Sequence, residues 1–105
     1  MKQYRVKITG KALADMEAIY DYIASNLQSP DTAMKQYDRI AAAIESLDTF
    51  PERCKLLDSE PERSYGMRQL LVDNYSAVYV VGEEEVTVLR VLYSSSDISN
   101  RLHES

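Results

Sequence analysis

The chain has 105 residues, of which 45% are hydrophobic and 28% charged, and its formal net charge is −5. So short a chain forms one domain, because two halves would bury too little apolar surface. Its acidic balance disfavours unaided nucleic-acid binding, which depends on clusters of Lys and Arg. Since Cys54 is the only cysteine and His103 the only histidine, we expect no disulfide, no metal site and no cofactor.

Membrane insertion and export are also disfavoured by the sequence. No apolar run approaches the ~20 residues of a membrane-spanning helix. The N-terminal sequence MKQYRVKITGK lacks the continuous apolar core of a signal peptide. We therefore expect a cytoplasmic protein that makes no membrane contact.

The first part of the chain predicts a strand followed by a helix. Tyr4 to Thr9 alternate apolar and basic side chains, which is typical of a half-buried strand at a sheet edge. After Gly10 the apolar period becomes helical, and the pattern ends near Asn26. The predicted buried stripe of this helix consists of Leu13, Met16, Ile19 or Tyr20, and Ile23.

A second amphipathic helix follows after a short link. Ser29-Pro30-Asp31 is a typical helix start, because Ser can cap free amides and Pro suits the first helical position. The helix is predicted to continue to about Asp48. Its stripe consists of Ala33, Tyr37, Ile40, Ile44 and Leu47. Two such helices joined by a short link predict an antiparallel helical hairpin.

The second half of the chain predicts a β-meander. Phe50-Pro51 ends the second helix, and Glu52 to Ser64 has the composition of a loop. From Tyr65 to Asp97, runs rich in Val, Leu and Tyr are divided by breaks at Asp73-Asn74 and at Gly82 to Glu84. Residues 97–102 could form one helical turn. Residues 1–105 thus predict a single α+β domain, in which the N-terminal strand and the three-stranded C-terminal meander form an antiparallel sheet covered on one face by the helical hairpin.

Both faces of the predicted sheet are apolar. In the middle strand, Ala77, Tyr79 and Val81 alternate with Val78 and Val80, and in the last strand Leu89 and Val91 alternate with Val88 and Leu92. The hairpin can cover only one face, so the other face predicts a protein partner, an added strand or a dimer. The alternative is that sheet curvature and the C-terminal segment bury it.

An ordered set of segments now points to a family. It comprises LADMEAIYDYIA at Leu13–Ala24, Pro51 after the second helix, Gly66-Met67-Arg68, Tyr75–Val80, and VLRVLY at Val88–Tyr93 with Asp97 beyond. This set, which spans nearly the whole chain, resembles the RelE/ParE superfamily of toxins from bacterial type II toxin–antitoxin modules. The resemblance implies a toxin neutralised by a cognate antitoxin that lies across the sheet and the helical hairpin. It also implies one of two targets. The target is either ribosome-bound mRNA, which the toxin cuts, or DNA gyrase.

The residues favour the gyrase-directed, ParE-like branch. RelE-like ribonucleases carry an Arg after the Tyr that opens the middle strand, and basic residues after the last strand. This chain has Ser76 at the first place and Ser94, Ser95 and Ser96 at the second. A ribonuclease would have to rely on Arg68, Arg90 and Tyr93, since cations and an acid or base are what such chemistry requires. Each Arg could instead pack its stem on apolar surface and pair with a carboxylate.

We therefore expect a toxin that arrests growth by binding a protein target. The alternatives are a ribosome-dependent mRNA endonuclease and a degenerate toxin that retains only antitoxin binding, so enzymatic activity is left open. Expected partners are the antitoxin, and gyrase or the ribosome with mRNA. A dimer or a hetero-oligomer with antitoxin is also compatible with the sequence. Candidate partner-binding residues are Tyr20, Tyr79, Val81 and Tyr93.

Overall fold

The computed structural model describes residues 2–94 and 98–102. Its elements in chain order are β1 (Arg5–Ile8), α1 (Gly10–Asn26), α2 (Pro30–Glu45), two 3₁₀ turns (Ser46–Asp48 and Pro51–Arg53), β2 (Arg68–Val72), β3 (Tyr75–Val81), β4 (Glu85–Tyr93) and α3 (Ile98–Leu102). The predicted order of strand, two helices, three strands and a terminal helical turn is confirmed. The expectations for Ser95, Ser96, Asp97 and His103 lie outside the described residues.

Local capping explains where the two long helices begin. Thr9 Oγ1 accepts the amide hydrogen of Ala12 at 3.1 Å, and Ser29 Oγ accepts that of Thr32 at 3.4 Å. Pro30 occupies the first turn of α2, where its missing amide hydrogen costs nothing. The predicted hairpin and its starting signals are therefore confirmed.

The buried stripe of α2 was predicted correctly, whereas that of α1 was wrong at one residue. Ile40, Ile44 and Leu47 are at most 1% exposed. In α1, however, Leu13 is 43% exposed and Ala12 takes its place in the core. Ala12, Met16 and Ile23 define the buried face, and Leu13 projects away from it because it lies one residue, or about 100°, from Ala12.

The sheet is mixed, with strand order β1-β4-β3-β2. The meander is antiparallel as predicted, but β1 pairs with β4 in parallel, with Arg5 opposite Glu85 and Ile8 opposite Val88. A parallel arrangement requires a long crossover connection, and the helical hairpin that follows β1 begins it. The α+β class, the edge position of β1 and the hairpin on one face are confirmed.

A β-bulge in β4 changes which side chains share a face. Val78 pairs with Arg90 while Tyr79 pairs with Val88, so Leu89 is an extra residue in β4. Strict alternation along the last strand predicts that Arg90 shares its face with both Val88 and Leu92, which is wrong for Val88 and correct for Leu92. Val88 and Val91 pack with the hairpin in one core, whereas Arg90 falls on the other face with Leu92.

The second face of the sheet is covered within the chain. Ser76 and Val78 are fully buried, Leu92 is 2% exposed and Arg90 is 8% exposed. Arg90 Nη1 donates to the carbonyl oxygen of Arg101 in α3 at 3.1 Å. Ser99 of α3 donates in turn to the buried carboxylate of Glu62 at 2.9 Å. Of the two predicted alternatives, burial within the chain therefore describes these residues, and the C-terminal helix accounts for part of that burial.

Tyr79 ties the sheet to the second 3₁₀ turn. Its side chain is fully buried, and its hydroxyl donates to the carbonyl oxygen of buried Pro51 at 2.5 Å. Burial raises the pKa of Tyr79 well above the ordinary value for tyrosine, and the neighbouring Cys54 raises it further. The hydroxyl therefore stays protonated at physiological pH.

None of the helices within residues 2–94 and 98–102 is long and apolar enough to cross a membrane.

Truncating one side chain in each long helix should distinguish a core position from a surface position. We expect Ile44→Ala to lower the free energy of unfolding by about 2–5 kcal/mol, because it leaves a cavity in the packed core. Leu13→Ala should cost less than about 1 kcal/mol, because Leu13 is largely exposed. Denaturant unfolding measures both, and equal costs would contradict the assignment of Leu13 to the surface.

The Tyr79 hydroxyl predicts a defined alkaline loss of stability. Because the folded-state pKa lies above the unfolded value of 10.0, this contribution is fully present below pH 10 and is lost as the pH rises through the folded pKa. Above pH 10 the parent should release up to one more proton on unfolding than Tyr79→Phe does. The free energy of unfolding should therefore fall less steeply with pH in Tyr79→Phe than in the parent. Tyr65→Phe is the matched control, since Tyr65 is 69% exposed. The same alkaline slope in Tyr79→Phe and the parent would refute the assignment.

Candidate functional site

A groove of about 570 Å³ opens where α1 runs beside the end of β4. We name it the tyrosine groove, and its lining consists of Asp15, Ala18, Ile19, Tyr22, Tyr75, Val91, Leu92, Tyr93 and Arg101. Three of these residues are tyrosines, and the remainder are mostly apolar. Such a mixture of apolar walls with a few polar groups is typical of a binding site.

The fold builds this groove by replacing a strand with a helix. β1 ends at Ile8, and Thr9 still donates its amide hydrogen to the carbonyl oxygen of Val88 at 3.1 Å. Beyond that point α1 takes the place of β1 beside β4. Asp15, Ala18, Ile19 and Tyr22 have the spacing i, i+3, i+4, i+7, so one face of α1 forms one wall.

An ion pair fixes α1 against β4 at the base of the groove. The carboxylate of Asp15 accepts hydrogen bonds from Arg90 Nε at 2.7 Å and from Arg90 Nη2 at 3.0 Å. It also accepts the backbone amide hydrogen of Val91 at 3.0 Å, as a neighbouring strand would. The side chains of Arg90 and Asp15 are only 9% and 16% exposed. Arg90 therefore serves as a fixed internal partner of α1 and α3.

The tyrosines form the accessible rim of the groove. The rings of Tyr75 and Tyr93 meet edge to face, with centroids 5.7 Å apart and an interplanar angle of 76°. Tyr22 is 64% exposed and Tyr93 is 47% exposed. Burial raises the pKa of Tyr75, and Tyr93 and Tyr22 raise it further, so its hydroxyl stays neutral. Large aromatic rings that carry a hydroxyl are well suited to contact a polypeptide.

The three residues proposed for a ribonuclease are not brought together. Tyr93 pairs with Tyr75, whereas Arg68 pairs with Tyr79, four residues farther along β3 and therefore about 13 Å away. Arg68 Nη1 donates to the carbonyl oxygens of Cys54 at 2.6 Å and Glu52 at 3.2 Å. Arg90 is bound to Asp15. The two arginines thus have separate contacts within the fold.

Ser76 and Ser94 belong to a small polar network on the second face of the sheet. Gln69 Nε2 donates to Ser76 Oγ at 2.8 Å, and the hydroxyls of Ser76 and Ser94 lie 2.8 Å apart. Ser76 is fully buried. At these two positions the chain therefore offers hydroxyls in place of the cations that a RelE-like ribonuclease would carry.

The four candidate partner-binding residues do not form one surface. Tyr93 lies on the rim of the tyrosine groove, whereas Tyr20 meets Tyr37 edge to face in a second groove between α1 and α2. Tyr79 is buried, and Val81 packs against the core. Tyr79 is not available to a partner, because its side chain is buried and its hydroxyl is bonded to Pro51 inside the fold.

Sequence reasoning did not identify Asp15, Tyr22, Tyr75 and Arg101 as site residues. The helical spacing of Asp15, Ala18, Ile19 and Tyr22 was a usable signal, because it shows that they share one face of α1. It does not show what that face contacts.

Among residues 2–94 and 98–102, no group of three or more His, Cys, Asp or Glu side chains could hold a metal ion. Cys54 is half-buried beside Tyr79.

Comparisons with solved structures agree with this architecture. A chain from the chromosomal ParDE toxin–antitoxin system of P. aeruginosa is 30% identical, with a TM-score of 0.72 over 87% of this chain and 96% of that one. The RelBE2 toxin–antitoxin complex of Mycobacterium tuberculosis gives 22% identity and a TM-score of 0.61, over 91% and 97% of the two chains. The YoeB dimer of Staphylococcus aureus gives 18% identity and a TM-score of 0.57, over 87% of this chain and 97% of that one. The last two likenesses concern the fold alone.

The family comparison covers nearly the whole chain. No curated protein sequence matched it. Residues 6–98, however, match the model of the ParE toxin of the parDE type II toxin–antitoxin system. This range includes β1 except Arg5, both long helices, the meander and the first residue of α3. The chain therefore belongs to the ParE toxin family, within the RelE/ParE superfamily of type II toxins.

Proposed function

We propose that this toxin arrests growth by binding a protein target, with DNA gyrase as that target, and that a cognate antitoxin neutralises it. The observation that carries the proposal is the buried serine network. Ser76 occupies the position where a RelE-like ribonuclease carries an Arg, and its hydroxyl is held by Gln69 and Ser94. Hydroxyls at these places cannot neutralise the charge that develops on a phosphate as its bond breaks.

The placement of the arginines supports the same proposal. Arg68 and Arg90 lie on opposite faces of the sheet, and each guanidinium is used within the fold. To act on one phosphate, at least one of them would have to leave its partners. For Arg90, that movement would leave the carboxylate of Asp15 without its counter-ion in a nearly closed environment, which is costly.

The tyrosine groove supports binding of a polypeptide such as an antitoxin segment. It lies between α1 and the sheet, and its walls combine apolar side chains with tyrosine rings. Tyr22 and Tyr93 are accessible without rearrangement of the fold. An antitoxin lying there would contact both layers of the toxin, and the similar chain from P. aeruginosa comes from a ParDE toxin–antitoxin system.

Expression of the chain without antitoxin tests the proposal. We expect growth arrest, inhibited DNA supercoiling by gyrase in vitro, and intact translated messages. Site-specific cuts in translated messages would instead establish an mRNA endonuclease. Absence of toxicity together with tight binding to an antitoxin encoded beside the gene would establish a degenerate toxin.

Arg68 provides a mutational check on its structural role. We expect Arg68→Ala to lower the free energy of unfolding by about 1–3 kcal/mol, because two carbonyl oxygens lose a charged donor. Toxicity should fall in step with stability. Lys55→Ala is the control, since Lys55 is a nearby exposed cation. Lost toxicity at an unchanged melting temperature would show that Arg68 contacts the target directly and would contradict this role.

A further inference from the structure

Phe50 has an unusual combination of backbone conformation and exposure. Its φ and ψ of 52° and 50° place it in the left-handed region, which bulky side chains rarely adopt. It precedes Pro51, and a residue before proline favours an extended conformation. Its side chain is nevertheless 69% exposed. An apolar ring is thus held in solvent at a position where the backbone favours Gly or Asn.

The surrounding contacts explain the turn but not the phenyl ring. Arg53 Nη1 donates to the carbonyl oxygens of Thr49 at 2.9 Å and Phe50 at 3.1 Å, and Arg53 Nη2 donates to Ser46 Oγ at 2.8 Å. Pro51 is buried and accepts the hydroxyl hydrogen of Tyr79. These bonds use backbone atoms and the side chains of other residues, so they would hold the same turn with Asn at position 50.

We propose that Phe50 is an anchor residue that inserts into an apolar pocket on a folded protein target. This inference rests on the proposed function, because it assigns the surface that contacts the arrested target. Strained residues persist where function requires them, and aromatic side chains are enriched among the residues that carry binding energy. The ring is already exposed, so it can reach a partner without rearrangement of the fold.

The shape of the site favours the target over the antitoxin as the occupant. A peptide segment buries its side chains in grooves of a folded partner, and the tyrosine groove is of that kind. A single projecting ring needs a preformed pocket, which a folded target can provide and a short segment cannot.

The Phe50 ring and the tyrosine groove are separate surfaces. Asp48, two residues before Phe50, accepts the amide hydrogen of Tyr4 at 2.8 Å, which places the turn near the start of β1. Pro51, which follows Phe50, accepts the hydroxyl hydrogen of Tyr79, and Tyr79 lies four residues, or about 13 Å, along β3 from Tyr75 on the rim of the tyrosine groove. Phe50 itself does not line that groove.

The test compares Phe50→Asn with Tyr65→Asn, a control that removes another aromatic side chain that is 69% exposed. Asn tolerates the left-handed conformation, so we expect the melting temperature of Phe50→Asn to equal or exceed that of the parent. Growth arrest by the antitoxin-free chain and inhibition of gyrase should require at least tenfold more of this variant. Affinity for the antitoxin should change less than threefold. Tyr65→Asn should behave as the parent in all of these assays.

Several outcomes would overturn the inference. Undiminished growth arrest by Phe50→Asn would show that the ring is not an anchor, and so would a lower melting temperature that accounts for lost arrest. Weaker antitoxin binding with undiminished arrest would assign the ring to the antitoxin, and a concentration-dependent dimer lost in the variant would assign it to a second copy of the chain. If the parent arrests growth without inhibiting gyrase, the gyrase target fails, while growth arrest by Phe50→Asn still decides the role of Phe50.

Discussion

The ion pair between Asp15 and Arg90 is the interaction on which the arrangement of helix, sheet and groove depends. It joins the first helix to the last strand, two segments that are 75 residues apart in the sequence. Both side chains are nearly buried, and a buried ion pair is favourable only when its hydrogen bonds are satisfied. Here the carboxylate accepts three hydrogen bonds, including one from the backbone of Val91. Beyond the end of β1, the side chain of Asp15 therefore accepts a backbone amide hydrogen of β4 that a longer β1 would otherwise have bonded.

The same interaction connects the fold to the function. Because α1 lies beside β4 past the end of β1, Tyr22 comes near Tyr75 and Tyr93, and a groove with an aromatic rim results. Because Arg90 is used to hold α1 and α3, it is not presented to a substrate phosphate. With serine hydroxyls at positions 76 and 94, the end of the sheet has surfaces suited to polypeptides and lacks the cations of a nuclease at those positions. The exposed ring of Phe50, which lies outside the groove, is the second contact surface that we propose.

Features set by local sequence were predictable, and features set by contacts distant in sequence were not. Periodicity and the Ser29-Pro30 start predicted the helical hairpin, because capping and amphipathicity act within a few residues. The predicted end of α2 near Asp48 was three residues too late, since Ser46–Asp48 form a 3₁₀ turn. The bulge at Leu89 was missed, because alternation alone carries no sign of an extra residue, and one extra residue reverses the face of every side chain after it. Leu13 was misplaced, because Ala12 is too small to mark a buried face by its hydrophobicity. For the candidate site, the sequence named Tyr93 and the serines at positions 76 and 94, and their roles stay predictions, whereas Asp15 could be recognised only once Arg90 was seen beside it.

A double-mutant cycle between Asp15 and Arg90 tests this account most directly. Asp15→Ala and Arg90→Ala should each lower the free energy of unfolding by about 3–5 kcal/mol, because each leaves a nearly buried charge without its partner. The double variant should cost little more than either single change, which corresponds to a coupling energy of about 3 kcal/mol. A coupling energy below about 0.5 kcal/mol would show that the two side chains act independently and would contradict the account.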